Sequence, residues 1–132
     1  MSNLKLPDYR LKQKLLYIDK VNPGTLQNYG DLYLEEGQLS DALDFYLKAN
    51  NNDGLQKIKE AALNSGDAML FSQAAKALNM ELKPDDWEAI GKKAIEFKKY
   101  FFAQHALEKA NNEELLSSLK KIIQKEVDSK SA

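Results

Sequence analysis

Apolar residues recur three and four positions apart from about residue 7 to residue 128, with charged and amide residues filling the intervals. This is the period of helices with one buried face. No stretch alternates apolar and polar over a strand's length, Val occurs only at Val21 and Val127, and Thr only at Thr25, so strands are not expected. Turn and cap residues divide the pattern into helices. The first is predicted from Pro7 to Lys20, with Leu11, Leu15 and Ile18 on one stripe, and the second from a Thr25 cap to Glu36, closed by Gly37. A third follows Ser40 to Asn50, and a fourth runs from Leu55 to Ser65 and stops at Gly66. Asp67 caps a fifth that ends near Asn79, Pro84 opens a sixth that reaches Phe97, and a seventh spans Tyr100–Ala110. Asn112 caps a last helix to Asp128, followed by a tail (129–132) that is expected to fray. Helices this short are marginal alone in water, and turns of a few residues force neighbours to run antiparallel, so the helices must pack on one another.

Internal similarity sharpens this picture. Leu26-x2-Tyr29-Gly30-x2-Tyr33 is followed by Ala42-x3-Tyr46 and Ala49, and Trp87-x2-Ile90-Gly91-x2-Ala94 by Ala103-x3-Leu107 and Ala110. In both, Gly and the first Ala are twelve residues apart and the two Ala are seven apart. Small residues at such places let two helices approach closely. The spacing resembles the tetratricopeptide repeat, and the segment LYLEEGQLSDALDFYLKAN is equally similar to the irregular helical solenoids of vesicle-coat and ciliary-transport proteins. The resemblance covers about residues 25–110. Gly30 and Gly91 are 61 residues apart, two units of about 30, and the middle unit lacks the Gly, so that Ala61, Ala62, Ala74 and Ala75 permit more than one register.

The expected fold is therefore all-α: a tetratricopeptide-like α-solenoid of about three antiparallel hairpins (25–50, 55–79 and 85–110), a C-terminal capping helix (112–128), and an N-terminal helix with its linker (1–24). The chain's 132 residues suit one domain. The capping helix would bury Leu115, Leu116, Leu119, Ile122 and Ile123.

Charge and composition exclude more than they assign. The net charge is −1, there is no Cys, and no window approaches a membrane span, so the expectation is a cytoplasmic protein with neither nucleic acid nor membrane as partner. The charge is unevenly spread: residues 1–20 carry +3, 21–90 carry −7 and 91–132 carry +3. His105 is the only histidine, no phosphate-cradling loop or nucleophile elbow is present, and Asp85-Asp86 and Glu113-Glu114 open helices, where carboxylates favour the dipole. No enzyme activity, cofactor or metal is expected.

In the tetratricopeptide resemblance, the first helix of each hairpin lines a ligand groove. Projected onto this chain, the groove takes Gln27, Asp31 and Glu35, then Gln56 and Glu60, then Glu88, Lys92 and Glu96. The family's branch that binds chaperone tails places Lys and Asn where Gln27 and Asp31 stand, so a clamp for carboxylates is not implied. The expectation is an acidic groove for a basic peptide or partner helix. The run Tyr100-Phe101-Phe102 spans about 200° of a helix and cannot all face one core. Tyr100 or Phe101 is thus a candidate exposed contact. The rival expectation is a structural subunit that packs through its convex face or terminal helix, with the oligomeric state left open.

Overall fold

A computed structural model of the chain describes residues 4–131. Residues 1–3 and Ala132, parts of the expected N-terminal segment and C-terminal tail, lie outside the described residues. All regular structure among the described residues is helical: α1 (Tyr9–Gln13) running into a π-helical turn (Lys14–Ile18), α2 (Pro23–Glu35), α3 (Leu39–Ala49), α4 (Asn52–Ser65), α5 (Ala68–Ala77), α6 (Pro84–Glu96), α7 (Tyr100–Lys109) and α8 (Glu113–Ser131).

Cap chemistry sets most boundaries and corrects several expectations. α1 starts after Asp8, not at Pro7, because the Asp8 carboxylate accepts the Leu11 N–H at 2.8 Å. Asn22, not Thr25, caps α2, since its side chain accepts the Gly24 N–H at 2.7 Å and leaves Pro23 the first helical position, where its missing N–H is harmless. Asn51 likewise accepts from Gly54 and starts α4 three residues before the expected Leu55. α3 begins at Leu39 with no side-chain cap, which leaves Ser40 inside the helix. Asp67 and Asn112 cap as expected, accepting from Leu70 and Leu115 at 3.0 Å each. Left-handed residues close the helices at Gly37, Asn50, Gly66, Asn79, Lys98 and Asn111. α8 continues through 129–131 instead of fraying after Asp128.

Consecutive helices pack as α2 on α3, α4 on α5, and α6 on α7. Contacts also run along two rows, from α2 to α4 to α6 and from α3 to α5 to α7, while α8 lies on α7. Phe45 and Tyr46 of α3 are wholly buried, and Phe45 sits between the rings of Tyr29 and Tyr33, 5.6 and 5.5 Å away. The small residues do mark close approaches, but the partner at each lies one turn beyond the expected Ala. A Cβ on Gly30 would come within 2.6 Å of the Tyr46 ring, and one on Gly91 within 2.8 Å of Leu107. Gly54 of α4 abuts the same Tyr46 ring, so glycines on two helices make room for it. In the middle unit, Ala62 and Ala74 are both fully buried and twelve residues apart, whereas Ala61 is half-buried. Ala75 is also fully buried, so burial selects Ala62 over Ala61 and the twelve-residue spacing then selects Ala74.

Among the described residues, the buried hydrophobic side chains other than Ala75 form two clusters. The larger extends from Leu15 and Leu16 through Ile90 and Ala106. The smaller joins Ala94, Ala103, Leu107 and Leu119, with Leu115, Leu116 and Ile123 packed against it. The N-terminal segment packs on α3: Lys12 forms an ion pair with Asp41, which raises its pKa, and the Lys48 ammonium donates to the Leu15 and Asp19 carbonyls at 2.5 and 3.0 Å. Leu15 lies in the π-turn and Asp19 directly follows it, at a helix end where carbonyls lack intrahelical donors.

Candidate interaction groove

The exposed sides of α2, α4 and α6 carry the projected residues, because each helix turns its small and bulky apolar positions toward α3, α5 and α7. Gln27, Glu35, Gln56, Glu60, Lys92 and Glu96 are exposed, and Asp31 and Glu88 are half-buried. Their electrostatics are less uniform than the sequence implied. Asp31 accepts the Tyr46 hydroxyl at 2.5 Å, and this bond together with burial pushes the Tyr46 pKa far above the usual phenol range. Glu88 pairs with Lys92 at 3.0 Å, and the lysine's hydrogen bond holds its carboxyl below the usual range. Glu96 pairs with Lys93 at 3.4 Å. Among the described residues, Glu35 and Glu60 have no ion-pair partner.

With Ala62 matched to Gly30 and Gly91, the α4 positions equivalent to Gln27 and Asp31 are Lys59 and Leu63, not Gln56 and Glu60. The structure nevertheless brings all four of these α4 residues to one pocket. It has a volume of about 180 Å³, and Phe71 of α5 and Asp86 and Ala89 of α6 complete its lining. Lys59 lies over the Phe71 ring, its Nζ 5.6 Å from the centroid and 3.7 Å from Met80 Sδ. Gln27 lines a separate, more open pocket of about 380 Å³ with Pro23, Gly24 and the turn Asn50–Asp53. Reasoning from the sequence missed Lys59, Leu63, Phe71, Asp86 and Ala89 as lining residues. The twelve-residue spacing from Ala62 to Ala74 was the signal that locates the first two.

Of the two candidate aromatic contacts, Phe101 is 78% exposed, whereas Tyr100 is half-buried and donates its hydroxyl to Glu126 at 2.6 Å. That bond raises the Tyr100 pKa. Phe97, half exposed with Lys99 near its ring, adds an apolar neighbour that the sequence reading did not single out. His105 packs edge-on against Trp87, with ring centroids 5.8 Å apart. Among the described residues, no group of three or more His, Cys, Asp or Glu could hold a metal ion, and no helix is long and apolar enough to cross a membrane.

No family model, curated protein or solved structure matches this chain.

Proposed function

We propose that the chain is a non-enzymatic protein-binding module, an adaptor whose helix pairs stack as a tetratricopeptide-like solenoid with α8 as the cap. In this reading the row α2–α4–α6 presents a groove to a basic peptide or partner helix. The observation that carries it is the α4–α6 pocket: it opens on the row that the repeat pattern assigns to ligand, and Gln56 and Glu60 line it. Glu35 and Glu60, without an ion-pair partner among the described residues and within a segment of charge −7, favour a cationic partner and would speed its encounter. Titration of a basic and an acidic peptide library against the full chain, read by amide chemical shifts, tests the reading. Basic peptides should perturb α2 and α4 signals and bind several-fold more weakly to Glu35→Lys. Tighter binding of the acidic set refutes it.

A second reading, lateral packing in a larger assembly, is favoured by the N-terminal segment. Tyr9, Tyr17 and Ile18 there are 78, 69 and 74% exposed, large apolar side chains that contact with a neighbouring subunit would remove from water. Sedimentation of the chain and of its Tyr17→Ser, Ile18→Ser variant over a range of concentrations tests it. A monomer at all concentrations removes self-assembly through that segment.

A further inference from the structure

The pocket between α4 and α6 has three properties that together specify an occupant. Its size of about 180 Å³ is below the ~300–1,000 Å³ typical of sites for whole small ligands, and suits one side chain. Its walls include Leu63, Phe71 and Ala89, which suit an aliphatic stem. Its polar lining comes from both helices: Gln56, Lys59 and Glu60 from α4, and Asp86 from α6, so that two carboxylates face one resident ammonium. Asp86 uses one oxygen to accept the Lys83 N–H at 2.9 Å, which fixes the carboxylate and leaves lone pairs free. Glu60 is exposed and has no ion pair among the described residues. The site already tolerates a cation, since the Lys59 ammonium lies over the Phe71 ring.

We propose that this pocket is the anchor site for an arginine side chain of the partner, a specification that rests on the groove reading. Arginine fits better than lysine for a physical reason. Acceptors on two different helices require a side chain with donors pointing several ways, and a guanidinium has five fixed N–H donors on a plane that can also lie against a ring. A lysine offers a compact, strongly hydrated charge that would only duplicate Lys59. The arginine displaces the Lys59 ammonium from Phe71, and Lys59 swings to solvent.

The test titrates Nα-acetyl-arginine methylamide, with its lysine and norleucine counterparts, into the full-length chain and follows amide and side-chain shifts. The arginine probe should perturb Gln56, Glu60 and Ala89 selectively and bind most tightly of the three. Glu60→Gln should weaken it about fivefold, as loss of one exposed charge pair allows. Ala89→Leu, at an exposed helical position, fills the pocket and should abolish the shifts while the thermal melt is unchanged. Lys59→Met should strengthen binding, because the resident cation no longer competes. Equal binding of norleucine, or shifts that survive Ala89→Leu, overturns the proposal. A basic peptide that is weakened by Glu35→Lys but indifferent to Ala89→Leu also overturns it while leaving the groove intact, and failure of every basic peptide removes the groove itself.

Discussion

Tyr46→Phe isolates one hydrogen bond in the middle of the molecule. The ring is wholly buried against Gly30 and Gly54, so removing only the hydroxyl leaves its packing in place. What is lost is the bond to Asp31, and a half-buried carboxylate is left without its donor. Hydrogen bonds to charged groups contribute about 1.5–3 kcal/mol, and partial solvent access to Asp31 argues for the lower end, about 1.5 kcal/mol. At ~2.1 cal/mol/K per residue, the unfolding entropy of 132 residues converts this into a Tm fall of roughly 5 °C. Urea unfolding followed by circular dichroism should show a lower midpoint with an unchanged slope. The pH dependence carries a second signature. The folded-state pKa of Tyr46 is raised above the unfolded value of 10.0, so its contribution is complete below pH 10 and is lost as pH rises through the folded value. The gap between the two proteins should therefore narrow in alkali. Tyr33 and Tyr100, whose pKa values are also raised, are common to both proteins and cancel in the difference. Equal stability at neutral pH, or a gap that stays constant well above pH 10, would refute the assignment.

Other substitutions probe separate claims. Gly66→Ala should destabilise by about 3 kcal/mol, because φ is +72° and the new Cβ would lie 2.9 Å from the Ala94 Cα, whereas Gly37→Ala, at φ +74° with nothing within 4 Å, should lose only about 1 kcal/mol; paired thermal melts distinguish them. Lys48→Met should accelerate amide exchange in the π-turn roughly tenfold with little change in global stability, since it strips a charged donor from the Leu15 and Asp19 carbonyls. Phe101→Ser should change stability by less than about 0.5 kcal/mol, against about 3–5 kcal/mol for Phe45→Ala, and denaturant curves for both check that only Phe101 is available as a contact.

The sequence revealed whatever local chemistry decides. Asp67, Pro84 and Asn112 open helices because their own side chains satisfy or spare first-turn N–H groups, and that is visible in a short window. Thr25 and Ser40 misled because a competing Asn-Pro pair and an uncapped Leu39 lie just upstream. The middle register was illegible since Ala61 and Ala62 differ only in which face is covered, and only packing reveals that. For the same reason the projection onto α4 took Gln56 and Glu60, where the Ala62 register gives Lys59 and Leu63, and all four line the pocket. The engagement of Asp31 by Tyr46 joins positions fifteen residues apart on different helices, beyond any local pattern.

The division of the core into two clusters has a mechanical consequence. Phe102 is the one side chain, among the described residues, packed against both. The smaller cluster has only four buried members, so the C-terminal end should loosen at lower temperature than the rest. Phe71 and Leu63, which form part of the α4–α6 pocket, belong to or pack on the larger cluster. Warming should thus melt α8 away from α7 while that cleft keeps its shape, so the binding proposed for it should outlast the first stage of unfolding.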